Sequence, residues 1–467
     1  MGTLVRGGEI WTAIDRYVAD IFIAAGKIQA IGEDLPGSGD DEILDATGLL
    51  VFPGGVDAHT HLDMPFMGAS STDDFQTGTI AAAVGGTTTI VDFVIPERSE
   101  SLLAALGKWH AKAAGKAVID YAFHMALTRW DEGVAREISR CVYEEGITSF
   151  KAFMAYKGSL GVDDYGLFQF MSRISELGAL LAVHAENGDV IQALLEQYIA
   201  ANKTHPRYHA MTRPAQCEGE ATERAIGLAR LLEWPIYLVH MSCREALASV
   251  KRAQKRGQQV FSETCPQYLL LDDSRYDEPD FGGAKYVMSP PLRKAEDNAA
   301  LWAALRQGAV QVVATDHCPF NFAKEKQLGR DNFAKIPNGC PGIEDRLTLL
   351  WTHGVQQGRI DGHTFVKVCS TNPAKILGLY PQKGAIAVGS DGDLVLFDPT
   401  ASRTITARTQ HQRVDYNTFE GFAISGMPSH VLLRGQMIVR EGKFTGIPGT
   451  GRYLARKPAK VRELAPV

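Results

Sequence analysis

The 467-residue sequence lacks the features that mark several specialised classes of protein. It has seven cysteines (Cys141, Cys217, Cys243, Cys265, Cys318, Cys340 and Cys369), and no two stand as Cys-x-x-Cys. An odd, widely scattered set argues against a disulfide framework and against a thiolate zinc site. No window approaches 18 uninterrupted apolar residues, so no membrane-spanning helix is expected. No basic run of the kind that tracks phosphates is present and the net charge is −6, so no nucleic-acid partner is expected. The glycine-rich turn G-x-G-x-x-G, which opens dinucleotide-binding sheets, is missing. There is no internal repeat and no low-complexity segment. Met1-Gly-Thr-Leu-Val-Arg-Gly-Gly8 leads directly into strand-like sequence, without the pattern of a secretory leader, and a cytoplasmic location is expected.

What is present is an ordinary globular composition, 45% hydrophobic and 22% charged, arranged in stretches of different texture. Residues 1–52 read as short β-prone pieces punctuated by Gly7-Gly8, Gly26 and Pro36-Gly37. Across residues 53–378 apolar strand-like runs alternate with helical stretches. The runs are Val51–Val56, Thr87–Phe93, Val118–Leu127, Thr148–Ala155, Leu180–Glu186, Pro235–Met241, Gln259–Pro266 and Val312–Pro319. Such alternation implies parallel strands with right-handed crossovers, and eight units suggest a distorted (β/α)8 barrel. β texture returns over 379–445, with a hairpin through Arg434-Gly435. A barrel between two β-rich ends implies that both ends build one small β-sandwich together. Residues 446–467, which include the basic stretch Arg452–Arg462, are expected to be a surface tail or an oligomer arm.

The chemistry gathers at strand ends. The first run leads into His59-Thr-His61, and residues two apart on a strand share a side. The fourth run carries Lys151, the fifth ends in His184, the sixth in His240 and the eighth in Asp316. In a parallel barrel these C-terminal ends meet at one rim. A lone histidine or aspartate there is more often structural; three apolar runs that each end in one, together with His-x-His at the end of a fourth, point to a metal site. Lys151 stands in a strongly apolar strand, where an ammonium is unfavourable. Burial lowers its pKa and exposes a nucleophilic amine that can take up CO2 as a carbamate. His59, His61 and Asp316 can then hold one divalent ion and His184 and His240 a second, with N6-carboxylated Lys151 and a hydroxide bridging them. Asp316 can act as general base and then general acid, which gives hydrolysis without a protein nucleophile.

These residues resemble the dihydropyrimidinase and D-hydantoinase family of the amidohydrolase superfamily. The resemblance runs through Asp57-Ala-His-Thr-His-Leu-Asp-Met-Pro-Phe66, Gly85-Gly-Thr-Thr88, Phe150-Lys-Ala-Phe-Met-Ala-Tyr-Lys157 and Val183-His-Ala-Glu-Asn187. It continues through Met288-Ser-Pro-Pro-Leu-Arg293, Ala314-Thr-Asp-His-Cys-Pro319, Ile336-Pro-Asn-Gly339, Asn372-Pro-Ala-Lys-Ile376 and Gly389-Ser-Asp-Gly-Asp393. It implies ring opening of 5,6-dihydropyrimidines or 5-substituted hydantoins to N-carbamoyl amino acids, two ions per subunit that are commonly Zn2+, and a homotetramer. It gives Tyr156 the oxyanion-stabilising hydroxyl and Ser289 and Asn338 main-chain contacts to the cyclic ureide. It places Met64, Phe66, Phe153 and Leu160 around the exocyclic group. Dihydroorotase-like relatives usually carry Arg shortly after His-x-His, where this chain has Asp63, expected to repel an anion; allantoinase-like ones usually show Asn-Glu-Pro-Gly in place of Asp63-Met-Pro-Phe66. The alternatives are a hydrolase of another cyclic ureide or imide and a non-catalytic scaffold, whose members usually lose ligands that are all present here.

Overall fold

The computed structural model describes residues 2–458. In it the chain changes sheets at Gly54. The run expected as one strand, Val51–Val56, is two: Leu50–Pro53 and Gly55–Thr60. The first pairs with Thr3–Trp11 and, antiparallel, with Leu394–Thr404; the second pairs with Thr87–Val94. Pro53 brings no N–H to a continuing ladder, and a Cβ on Gly54 would come within 2.1 Å of Thr88 Oγ1. The backbone can therefore pass this point only as glycine.

Eight parallel strands follow one another around a nearly closed barrel. They are Gly55–Thr60, Thr87–Val94, Asp120–Leu127, Ser149–Phe153, Leu180–His184, Ile236–Leu238, Val260–Thr264 and Val312–Val313. Helices pack outside. Glu132–Tyr143 buries Val134, Ile138, Cys141 and Val142, one stripe at helical spacing, and Asp131 caps it by accepting from Val134 N at 2.9 Å. The eighth strand is only two residues long, so side chains close the seam to the first. Arg346 Nη1 donates to Val56 O and Val313 O, both at 2.9 Å, and its Nη2 donates to Thr87 Oγ1 at 3.0 Å. Asp57 accepts from Thr315 N at 3.1 Å and Thr315 Oγ1 at 2.7 Å. His61 N donates to His317 O at 2.9 Å on the rim side.

The two chain ends form one nine-stranded mixed sheet. Gly7-Gly8, expected to separate two pieces, is a bulge inside the single strand Thr3–Trp11; Gly7 has φ +68° and donates to Asp20 Oδ1 at 2.8 Å. The hairpin between Ala423–Leu433 and Gln436–Arg440 turns on Arg434 and Gly435, at φ 50° and 75°, the left-handed pair of a two-residue turn that matches strand twist. Ile21, Ile23, Leu44, Leu394, Leu396 and Leu432 form one apolar cluster beneath this sheet, which ties both ends together.

The segment expected as a free tail is bound to the barrel up to Arg456. Tyr453 bridges to Tyr121, and the buried Arg456 donates from Nη1 to Ser149 Oγ at 2.8 Å and from Nη2 to Phe123 O. These two acceptors and Leu377 O, 3.4 Å from Nη1, account for this: they receive the two terminal nitrogens of a guanidinium that solvent no longer reaches. Residues 459–467 lie outside the described residues. No described helix is long and apolar enough to cross a membrane. All seven cysteines are free thiols.

Replacing Arg346 by Met should destabilise the barrel by about 3–5 kcal/mol, because two buried carbonyls and Thr87 Oγ1 lose their donors and the nearby buried Asp57 loses a cation that favours its charged form. Calorimetry reads this as a clear fall in melting temperature; an unchanged melting curve would show that the seam closes without it.

Candidate active site

The six expected ligands meet at the C-terminal rim. His59 Nε2 and His61 Nε2 lie 3.1 and 3.3 Å from Asp316 Oδ1, and the ligand atoms of these three residues fall within 4.8 Å of one another. Lys151 Nζ is 2.9 Å from His59 Nε2. His184 Nδ1 and His240 Nε2 face each other at 3.0 Å. The rings of His59 and His240 stand 5.4 Å apart, which joins the two groups into one cluster. His240, Asp316 and Tyr156 all have left-handed backbones, at φ 40°, 51° and 59°, a strained conformation for non-glycine residues that tends to concentrate where function demands it.

Burial sets the electrostatics. It pushes His59, His61 and His240 below the usual histidine range, so the imidazoles are neutral and offer lone pairs. Asp316 is held well below the ordinary carboxylate value: burial alone would raise it, and His59, His61 and Lys151 overcome that. Lys151 is buried between the rings of Phe93, 4.3 Å from Nζ, and Phe153, 4.9 Å away. Burial lowers its pKa to about 8, against the pull of Asp316 and Glu263. About a tenth of the amine is then free at pH 7, far more than for an ordinary lysine.

The donor set fits divalent metal. Four imidazoles, an amine and a carboxylate converge with each other as their main partners, and His61 Nδ1 and His240 Nδ1 are buried without hydrogen bonds among the described residues. Outer carboxylates orient two of the rings. Glu263 accepts from His59 Nδ1 and turns Nε2 inward, and Glu186 accepts from His184 Nε2 at 2.8 Å and turns Nδ1 inward. Arg213 in turn donates to Glu186 at 3.0 Å.

The pocket above this cluster is lined by His61, Lys151, His184, His240 and Asp316 and by Met64, Phe66, Phe153, Tyr156, Leu160, Ser289 and Asn338. His59 lies beneath, fully buried. Partial burial raises the Tyr156 pKa, so its hydroxyl stays protonated and can donate. Asn338 Nδ2 donates to Ser289 Oγ at 3.1 Å and to Tyr156 Oη at 3.4 Å. Pro65–Phe66 and Ala69–Ser70 form a small hairpin that sets Phe66 edge-on to Tyr156, with centroids 5.6 Å apart. A groove of about 890 Å3 near Trp234, Gln259 and Gln311 lies at the opposite end of the strands, far from every ligand.

Three findings depart from the sequence reading. Asp63, expected to face substrate, does not line the pocket; its carbonyl accepts from Lys112 while Met64 and Phe66 face inward. Glu263 was missed, although its strand Val260-Phe-Ser-Glu-Thr264 carries an acid in a fully buried run, the same signal that singled out Lys151. The pocket also takes in Ile95, Met288, Cys318 and Gly339. Burial pushes the Cys318 thiol well above its usual range, which disfavours the thiolate a nucleophile needs.

Comparison with known proteins places this architecture. Residues 50–438 match the model of the amidohydrolase family. The chain is 51% identical to a D-hydantoinase of Geobacillus stearothermophilus over 98% of this chain and 97% of that protein. It is 42% identical to a dihydropyrimidinase of Rattus norvegicus, over 97% and 89% respectively. The crystal structure of a dihydropyrimidinase from Brevibacillus agri superposes with a TM-score of 0.97 at 52% identity, over 98% of this chain and 99% of that one.

Glu263→Gln keeps the shape of the side chain and removes its charge. Metal affinity should fall about 10- to 100-fold, as for other outer partners of a ligating histidine. Competition with a chelator measures it; wild-type affinity in the variant would remove Glu263 from the site.

Proposed function

Starting from a chain that belongs to the amidohydrolase family, within its hydantoinase and dihydropyrimidinase group, we propose that it opens dihydropyrimidines and 5-substituted hydantoins to N-carbamoyl amino acids at a binuclear metal site. It is a hydrolase of cyclic amides. The convergence of His59, His61, Lys151, His184, His240 and Asp316 on one rim is the observation that carries the site reading. His59, His61 and Asp316 would hold one ion and His184 and His240 the other, with the carbamate of Lys151 between them. A nitrogen-rich donor set suits zinc. When bound, divalent ions lower the pKa of coordinated water and polarise a carbonyl.

The chain's own groups supply the rest. The Lys151 amine adds to CO2 and releases a proton, which leaves an anionic carbamate in place of an ammonium. Asp316, ionised at neutrality, takes the proton of the attacking water as the water oxygen bonds to the ring carbonyl carbon. The Tyr156 hydroxyl donates to that carbonyl oxygen as negative charge develops on it. The C–N bond then breaks, and Asp316 passes its proton to the leaving nitrogen. Main-chain groups of Ser289 and Asn338 hold the ureide, and Met64, Phe66, Phe153 and Leu160 enclose the exocyclic group. The same reading makes the enzyme a cytoplasmic homotetramer, an extension that rests on the family resemblance.

A panel of kcat/KM values tests the substrate class, using dihydrouracil, dihydrothymine, hydantoin and both enantiomers of a 5-aryl hydantoin. Turnover of at least one series is expected; none at all, with metal bound, would defeat the reading. Lys151→Ala cannot form a carbamate. It should lose bound metal and at least about 100-fold in kcat, more than 2.7 kcal/mol of barrier. Retained metal with full turnover would refute the bridging role.

A further inference from the structure

Lys326 is a fully buried lysine on the short helical turn Glu325–Gly329, outside the ligand cluster. No carboxylate pairs with it among the described residues. Its Nζ instead donates to three carbonyl oxygens: Val287 at 2.9 Å, Pro337 at 2.8 Å and Gly339 at 2.7 Å. Burial pulls its pKa down to about 7, while three carbonyl acceptors favour the ammonium, whose three N–H donors each have one acceptor here.

The three carbonyls belong to two different loops. Pro337 and Gly339 flank Asn338, and Val287 stands two residues before Ser289. Gly339 N also donates to Val287 O at 3.0 Å, so the loops are tied directly as well as through the ammonium. Neighbouring carbonyls of the first loop are held too. His209, also buried, places Nε2 2.7 Å from Met288 O, and Tyr268 Oη donates to Pro290 O at 2.6 Å. Burial pushes the His209 pKa down to about 3, so it serves as a neutral donor.

The backbone groups of Ser289 and Asn338 themselves have no hydrogen bond among the described residues, and both residues line the pocket. Every carbonyl around them is committed while theirs remain open.

We propose that Lys326, assisted by His209, is a positioning residue for substrate. It clamps the two loops so that the main-chain groups of Ser289 and Asn338 point at the cyclic ureide. This rests on the substrate reading given above. The clamp addresses the ring and not its substituent, because the exocyclic walls come from other parts of the chain: Phe153 ends the barrel strand Ser149–Phe153, Phe66 sits on the small hairpin, and Met64 and Leu160 lie in connecting segments. Removing it should weaken ring binding to the same extent for every substrate and leave the metal cluster intact.

The test is Lys326→Met, which keeps length and removes all three donors, assayed as metal-loaded enzyme. KM should rise at least about tenfold for dihydrouracil and a 5-aryl hydantoin alike, with kcat within about threefold and metal per subunit as in wild type. A merely structural lysine would lower stability without this split. If the Met variant fails to fold, His209→Gln gives the same readout from the neighbouring carbonyl. An unchanged KM, a loss confined to kcat, or a parallel loss of metal would overturn the clamp. A wild-type enzyme that opens no cyclic ureide would defeat the substrate reading instead, whereas wild-type turnover with an unchanged variant KM would defeat the clamp alone.

Discussion

The seam between the first and eighth barrel strands is the constraint on which the site depends. His59 and His61 arrive on one side of it and Asp316 on the other, and Asp316 Oδ1 lies 3.1 Å from His59 Nε2 only because the barrel closes there. Yet the eighth strand contributes just Val312–Val313 to the ladder. Buried side chains finish the closure: Arg346 bridges carbonyls of Val56 and Val313, and Asp57 grips Thr315, the residue before Asp316. Burial raises the Asp57 pKa, and the Arg346 cation works against it. Two groups without solvent access, Arg346 and Asp57, thus set both the barrel's last contact and the placement of Asp316.

A similar economy governs the rim. Each outer carboxylate fixes one histidine, but the two sit in different fields. Glu186 would be raised by burial, and the Arg213 guanidinium and His184 bring it down to about 2. Glu263 has no arginine; burial dominates and holds it at about 7, with Tyr237 and Lys151 only partly offsetting it. The His184 side therefore has a fixed anion behind it. The His59 side has one whose charge depends on the cations placed in front, since opposite charge nearby favours the ionised form.

The barrel and its ligands were legible because parallel strands buried on both faces leave continuous apolar runs, and any polar residue at their ends stands out. His184, His240, Lys151 and Asp316 were found in this way. Glu263 carries the same mark, but it was passed over because it acts through His59 and matches no ligand spacing. The sheet change at Gly54 was invisible, since Val51–Val56 is apolar throughout and only three-dimensional crowding against Thr88 divides it. Asp63 misled for a related reason: adjacency to His61 in sequence says nothing about direction once the backbone turns left-handed, and its φ is 50°. The Lys326 clamp could not be read at all, because its acceptors are backbone carbonyls, which every residue has.

The case for a neutral substrate therefore shifts from Asp63 to the pocket lining. Among the described residues, Lys151 is the only lysine or arginine lining the cavity, and it is engaged with His59 and packed between Phe93 and Phe153. Apart from the metal ions, an anionic substituent would shed its water with no free side-chain cation among the described lining residues to receive it, an unfavourable exchange. A cyclic diamide meets a better match: open main-chain groups at Ser289 and Asn338 on one side, Phe66, Phe153, Met64 and Leu160 on the other. On the proposed reading, ring and substituent would be recognised by separate segments with separate supports. The carbonyls that flank Ser289 and Asn338 are held by buried donors, whereas of the apolar walls Phe66 sits on the small hairpin, Phe153 ends a barrel strand, and Met64 and Leu160 lie in connecting segments. On that reading, changes at those walls would alter which side group is accepted without disturbing the groups that hold the ring.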